Sequence, residues 1–402
     1  MPDSPSPRPA ARPEAVVAGH VSLDVFPTFY GPPAIEPGRL VVVGPASVST
    51  GGVVANVGVA LHRLGVPVSL IARVGDDMFG RAVLDALASH GAGLQDGIAV
   101  ADAEPTSYSI VVAPPGEDRS FLHCPGANAT FCAADVPADR LAGVRLFHFG
   151  YPPLMPRMYA NGGAELRDLF ARVSRGGTAT SLDMCDPDPD SDAGRVDWTE
   201  VLGAVLPFVD VFAPSIGELE LMIAGPGRRG SAAGRAGPVA DHARLRELGL
   251  RLTAMGAAVA AIKLGDQGLY LRTASDPVRI GAFCERAGLR ADDWRDRELL
   301  SPCFSPRAVR GTTGSGDATI AGLLAALLRG DDPAQAATGA TAVGACSVEA
   351  VDPTSAIPDW TRVAARIAHG WPRLPTSVRV ADGVTVAHDA TGTMTLTAPP
   401  PR

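Results

Sequence analysis

Short apolar runs alternate with amphipathic stretches that end at glycine, and this alternation restricts the fold more than any single motif. "AVVAG" (Ala15–Gly19) and "VSLIARVG" (Val68–Gly75) read as buried strands, and further strands are expected at 107–113, 146–149, 178–184, 209–214, 259–264 and 269–272. "GGVVANVGVALHRLG" puts Val53, Val57, Ala60, Leu61 and Leu64 on one helical face and stops at Gly65. "FGRAVLDALASHG" (79–91) repeats the pattern, and helices are expected at 164–174, 218–223, 244–255, 317–328, 333–348 and 358–368. Strands that alternate with helices of about a dozen residues call for a parallel sheet covered on both faces. The expected class is therefore α/β: a three-layer, doubly wound, mostly parallel sheet. Residues 24–50 and 104–124 break the alternation with extended runs, including "RLVVVGPASVS" (39–49), and are expected to form a small β-sheet lid.

The remaining segments read as additions to this frame. Residues 1–14, rich in proline, are expected to be a disordered tail, and 224–240 and 286–310 to be surface insertions. Residues 15–371 form the main domain in this reading, and 372–402 a C-terminal extension with a short hairpin. Of 402 residues, 35 are basic and 43 acidic, so a net charge of −8 gives no electrostatic help to a nucleic-acid partner. Six cysteines include no C-x-x-C pair, which argues against a zinc site and for reduced thiols in the cytoplasm. No run approaches the ~18 apolar residues of a membrane span, and the N-terminus lacks a signal-peptide core.

Candidate phosphate sites can be sorted by context. A P-loop needs G-x-x-x-x-G-K-[ST], but Lys263, the only lysine, precedes leucine. "GPGRRG" (225–230) matches a dinucleotide fingerprint by letter, yet a helix precedes it and no helix signal follows, so it reads as a loop. "NAT" (128–130) fits a glycosylation acceptor that a cytoplasmic chain does not use.

"GTTGSGD" (311–317) differs, because its glycines run straight into an apolar helix. The helix start offers unpaired N–H groups and a positive dipole end, an anion hole suited to a phosphoryl group. Asp317 in the first turn either stabilises that helix end or meets a ligand; the motif alone does not choose. "STGGVVAN" (49–56) supplies Gly52 for close backbone approach and Asn56 for hydroxyl hydrogen bonds, or is a plain strand-to-helix turn. Asp24 follows the first strand's carboxyl end, where ligands of open parallel sheets bind, and also fits an ordinary turn. Lys263 closes a strand, where a lysine commonly only reaches for water. His20, His123 and His148 read as core or lid packing, since none has a ligand partner at helical spacing.

In these motifs the chain resembles the ribokinase-like, or PfkB, carbohydrate kinases from about residue 15 to about 371. The resemblance rests on "GGVVAN" with "LHRLG", "RVGDDMFG", "PSIGE", "KLGDQG" and "GTTGSGD", in that order. It implies phosphoryl transfer from ATP, with magnesium, to a hydroxyl of a sugar. It implies that Asp317 is the base and that Gly314, Ser315 and Gly316 form the anion hole. By the same resemblance Asp24, Gly52, Asn56 and Asn128 hold substrate, Ser215, Lys263, Gly265, Gly268 and Thr313 line the nucleotide, and Glu218 organises magnesium. Three departures stand out. Ser215 replaces the family's usual asparagine. Gly311 replaces an aspartate that helps hold a monovalent cation, which leaves potassium activation without its usual support. Val53 and Val54 replace the Lys-Gly of ribose-specific relatives. A nucleoside kinase on the same fold and a catalytically silent sugar or nucleotide sensor are the competing readings. The open strand edges of the lid suit pairing with a second copy.

Overall fold

The computed structural model describes residues 12–33, 36–116, 119–223 and 241–398. In chain order the strands are β1 (Ala15–Gly19), β2 (Ser22–Pro27), β3 (Ala46–Gly51), β4 (Val68–Gly75), β5 (Ile98–Ala101), β6 (Tyr108–Val112), β7 (Ser120–Cys124), β8 (Leu146–Gly150), β9 (Ala179–Asp183), β10 (Val211–Phe212), β11 (Val259–Lys263), β12 (Leu269–Thr273), β13 (Glu298–Ser301), β14 (Thr385–His388) and β15 (Met394–Thr397). They fall into an 11-stranded sheet ordered β14-β15-β13-β12-β11-β10-β9-β8-β1-β4-β5 and a four-stranded sheet ordered β3-β2-β6-β7.

From β5 across to β11 every pairing in the large sheet is parallel, whereas β12, β13, β15 and β14 are added antiparallel. Every residue of β1 is buried. Its alternate side chains serve two cores: Ala15 and Val17 pack with the helices Val53–Arg63, Ser315–Arg329 and Pro333–Ser347, and Val16 and Ala18 with Pro156–Arg175, Trp198–Val205 and His242–Ala254. A strand buried on both sides reads as an unbroken apolar run, which is why "AVVAG" is legible. The three expected layers are therefore present. The strand order reverses at β1, which has β4 on one side and β8 on the other, and this opens a crevice beyond the strand ends.

Several expectations need correction. The surface insertion expected at 286–310 is not one: it holds the helix Ala291–Trp294, whose Trp294 is buried, and β13, which is buried at every residue. β13 was obscured by Glu298, a buried acid that accepts from His242 Nε2 at 2.7 Å and from the Tyr270 hydroxyl at 2.9 Å and also pairs with Arg246. Only residues 46–51 of the expected run 39–49 and its border are strand; 39–45 is exposed and irregular. The helices Trp198–Val205 and Pro277–Ala287 were not anticipated. The expected tail to residue 11, the 224–240 segment and the "GPGRRG" loop lie outside the described residues. Among the described residues no helix is long and apolar enough to cross a membrane.

Candidate active site

The late motif forms the centre of the site. Gly314 takes the left-handed conformation (φ 71°) as the N-cap of the helix Ser315–Arg329, and a Cβ there would lie 2.4 Å from Pro353 Cβ. Only glycine satisfies both conditions. The turn closes with the Ser315 amide donating to the Thr312 carbonyl at 3.3 Å and the Ala318 amide to the Gly314 carbonyl at 2.9 Å. Among the described residues the amides of Gly316 and Asp317 have no such partner, so they and the helix dipole remain for an anion.

Asp317, at 3% exposure, is fixed by two other elements. Asn56 Nδ2, from the helix Val53–Arg63, donates to its Oδ2 at 2.8 Å. The Tyr151 hydroxyl, just past β8, donates to both carboxyl oxygens at 2.9 Å. Burial raises the Asp317 pKa above the ordinary carboxylate value, and Lys263, Asn56 and Tyr151 oppose that rise. Tyr151 is held at φ 66°, a strained setting for a bulky residue and of a kind that concentrates at functional sites.

Lys263 ends β11 and its Nζ donates to Asp183 Oδ1, at the end of β9, at 2.7 Å. Burial pulls the lysine pKa down, but Asp183, Glu218 and Asp317 outweigh it and carry it above the usual lysine value. Asp183 is 1% exposed and its Oδ2 has no partner among the described residues. Burial raises its pKa strongly, with Glu218 and Asp317 adding to the rise and Lys263 opposing it. Ser215 and Glu218 form a reciprocal cap: the Glu218 amide donates to Ser215 Oγ at 3.1 Å and the Ser215 amide to Glu218 Oε2 at 2.6 Å. Serine at the position where relatives carry asparagine is thus a helix N-cap, and one oxygen of Glu218 is already engaged.

Asp317, Gly314, Ser315, Gly316, Lys263, Gly265, Gly268, Ser215 and Glu218 line one cavity of about 510 Å³, together with apolar side chains that include Phe304, Val309 and Leu374. Thr313 is half-buried and outside that wall, where Thr312 stands instead.

The small sheet carries a polar row and an apolar row. Ser49, Asp24, Ser109 and His123 stand side by side across its four strands, and Val48, Val25, Ile110 and Leu122 form the next row, on the opposite face. Asp24 Oδ1 accepts from Ser22 Oγ at 3.0 Å, and burial raises its pKa. The polar row leads to Asp317 through rings: His123 lies 5.3 Å from His20, and His20 6.0 Å from Tyr151. Gly52 adjoins this path, since a Cβ there would lie 2.5 Å from His20 Nδ1. Asn128, expected to touch substrate, has another task. It is fully buried, its Oδ1 accepts from the Val21 amide at 3.3 Å, and its Nδ2 donates to the Val21 carbonyl at 2.8 Å. Both ends of its amide are used to fasten the start of β2.

Sequence reasoning missed Tyr151, just past the strand expected at 146–149, and Asp183, near the end of the strand expected at 178–184, although the rule that ligands meet parallel strands at their carboxyl ends points to both. His148 is core, as expected, bonded through Nδ1 to Ser181 Oγ at 3.0 Å.

Comparison with known proteins agrees with this fold. The model of the "pfkB family carbohydrate kinase" group matches residues 12–360. A 2-dehydro-3-deoxygluconokinase of Bacillus subtilis is 24% identical over 338 residues, covering 82% of this chain and 90% of that protein. A fructokinase-1 of Oryza sativa is 32% identical over 146 residues, 35% of this chain and 42% of that protein. The Arabidopsis thaliana ribokinase complexed with ribose and ATP superposes with a TM-score of 0.69 at 17% identity, covering 88% of this chain and 98% of that one. The fructokinase with bound ATP from Xylella fastidiosa gives 0.66 at 19% identity over 89% and 98%. The chain belongs to the pfkB family of carbohydrate kinases, ATP-dependent phosphotransferases whose acceptor is an alcohol group of a sugar.

Proposed function

We propose that Asp317 is the general base that accepts the proton of an acceptor hydroxyl as the γ-phosphoryl group of ATP is transferred to it. The observation that carries this reading is the convergence of Asn56 and Tyr151 on the Asp317 carboxylate beside the unpaired amides of Gly316 and Asp317. Phosphoryl transfer asks for alignment and charge neutralisation more than covalent help. The helix start receives the moving phosphoryl group, and Lys263 stands beside Asp183 and Glu218 to balance charge at the phosphate end of the cavity. A carboxylate with a raised pKa is a stronger proton acceptor than an exposed one, provided it stays ionised.

Glu218 and the unpartnered Oδ2 of Asp183 suit magnesium held through water beside nucleotide phosphates. When bound, the metal neutralises charge on those phosphates. A cation held by an acid at position 311 does not suit this chain, because a Cβ on Gly311 would lie 2.7 Å from the Val351 carbonyl oxygen.

The acceptor end lies under the small sheet, which acts as a lid that excludes water. Asp24, Ser109 and His123 face it, and both ring nitrogens of His20 are buried there without a partner among the described residues. Burial and the neighbouring His123 hold His20 below the ordinary histidine pKa, so it is neutral and can donate and accept hydroxyl hydrogen bonds. This polarity supports a polyhydroxy acceptor, and the similarity to a 2-dehydro-3-deoxygluconokinase makes ketose-type sugars and their acids the first compounds to try.

An ADP-release assay over sugars and nucleosides, with Asp317→Asn alongside, tests the assignment. The expected result is turnover on a sugar and a loss of about 10²–10⁴-fold in kcat in the variant, with binding of a non-hydrolysable ATP analogue retained. Preferred turnover of nucleosides points to the nucleoside-kinase reading. Tight sugar binding with no turnover by the wild type points to a sensor.

A further inference from the structure

The family match ends at residue 360, yet the described chain continues to 398 and returns to the cavity. The Ser305 amide donates to the Pro372 carbonyl at 2.9 Å, the Leu374 amide to the Cys303 carbonyl at 2.7 Å, and Trp371 Nε1 to the Ser305 carbonyl at 2.6 Å. These bonds make an antiparallel bridge between Phe304 and Arg373. A few residues on, the Ser377 amide and hydroxyl donate to Gln267 Oε1 at 2.7 and 2.9 Å. The extension thus grips both the 301–305 segment and the turn at 265–268. Gly265, Gly268, Cys303, Phe304 and Leu374 all line the cavity that ends at Asp317.

Arg373 organises this wall. Its Nη1 donates to Thr341 Oγ1 at 2.8 Å, to Ser301 Oγ at 3.1 Å and to the Pro302 carbonyl; its Nε donates to the Thr391 carbonyl at 2.8 Å and its Nη2 to Thr393 Oγ1 at 3.1 Å. The guanidinium lies 3.6 Å from the Phe304 ring centre, and Phe304 stacks on Trp371 at 4.7 Å. None of its hydrogen-bond partners among the described residues is a carboxylate. Burial, partly offset by more distant Asp389, pulls its pKa down to about 10. A cation drawn out of water toward neutral oxygens gains little stability. What the rigid guanidinium fork does provide is fixed geometry among several backbone segments.

We propose that the segment after the family match is a built part of the nucleotide site: Leu374 touches the nucleobase end of bound ATP, and Arg373 is a positioning residue that holds the wall carrying Phe304 and Leu374. The inference rests on reading the cavity as the nucleotide site. The polar end at Asp317, Lys263 and Glu218 takes the phosphates, and the end lined by Phe304, Val309, Val348 and Leu374 is the apolar slot that a flat base fills.

The test compares Leu374→Ala, Arg373→Gln and Arg373→Lys by steady-state kinetics, melting temperature and calorimetric binding of a non-hydrolysable ATP analogue. Leu374→Ala should raise the KM for ATP about 3–10-fold, as expected for losing part of a leucine's apolar contact with the base, and leave kcat and the acceptor KM within about 2-fold. Arg373→Gln should raise the KM for ATP likewise, and lysine should not rescue it because it lacks the fork. A folded Leu374→Ala variant with unchanged ATP KM and analogue affinity overturns the proposal, as does an equal rise in both KM values. If Arg373→Gln does not fold, Leu374→Ala decides. If the wild type phosphorylates nothing while Leu374→Ala still weakens analogue binding, the kinase reading fails and the wall assignment stands.

Discussion

Opposing influences act on the Asp317 carboxylate. Burial pushes its pKa up, and Lys263, Asn56 and Tyr151 hold it down. Only the ionised form accepts a proton, so kcat must fall as pH drops through this raised pKa. The Tyr151 hydroxyl favours the charged form by donating to it. Tyr151→Phe removes that donor, so the pKa rises further and the acid limb of the kcat–pH profile moves to higher pH. A pH-rate profile in which that limb stays still, or moves to lower pH, would show that Tyr151 does not tune the base. The only sequence sign of this tyrosine is its place just past an expected strand. Its role depends on a strained backbone setting that turns "GYPP" toward a helix that begins 164 residues later (315 − 151).

Elements with a strong period were legible, and elements defined by their neighbours were not. β1, β4, β11 and the helices Val53–Arg63 and Ser315–Arg329 follow from apolar patterning and glycine stops. β13 did not, since its buried glutamate is tolerated only because His242, Tyr270 and Arg246 reach it from other elements. β10, two residues long, lies inside the strand expected at 209–214, so its place was legible but its length was not. The helix Pro156–Arg175 is interrupted by non-helical backbone at Ala160, Asn161, Gly162 and Gly163, so only its later part had a readable face. For the site, the glycine turn and Asp317 were readable and the strand-end position of Asp183 gave a signal, whereas the ring path from His123 to Tyr151 required the topology. The start of the late helix gives the prediction at this scale. Gly314→Ala must place a side chain at φ 71° and against the rigid Pro353 ring. The conformational cost alone is about 1–2 kcal/mol. The expected outcome is a lower denaturation midpoint together with a loss of kcat, because the same turn aims the amides of Gly316 and Asp317. Unchanged stability and kcat would mean that the turn does not shape the site.

Over the whole molecule, the two faces of the small sheet face different surroundings. The polar row Ser49, Asp24, Ser109 and His123 turns toward the cleft, while the row Val48, Val25, Ile110 and Leu122 turns away from it. Val48 is 60% and Leu122 55% exposed, and the nearby segment adds Leu40 at 82% and Val42 at 75%. Contiguous apolar surface of this kind marks an interaction site on a soluble protein. β3 and β7 are also open edges of the sheet, so a second copy can both cover the row and complete the hydrogen bonding. The prediction at this scale is a two-fold pairing through the small sheets, in which each lid would stiffen the other over its acceptor cleft. Sedimentation velocity should find a dimer of the 41.3 kDa chain at micromolar concentration. Leu122→Glu, a change at an exposed position that leaves the core intact, should shift the chain to monomer and raise the acceptor KM more than the ATP KM, because the polar row of the small sheet belongs to the acceptor end in the proposed reading. A wild type that sediments as a monomer, or a variant that remains dimeric, would remove this pairing and leave the apolar row as the contact face of some other partner.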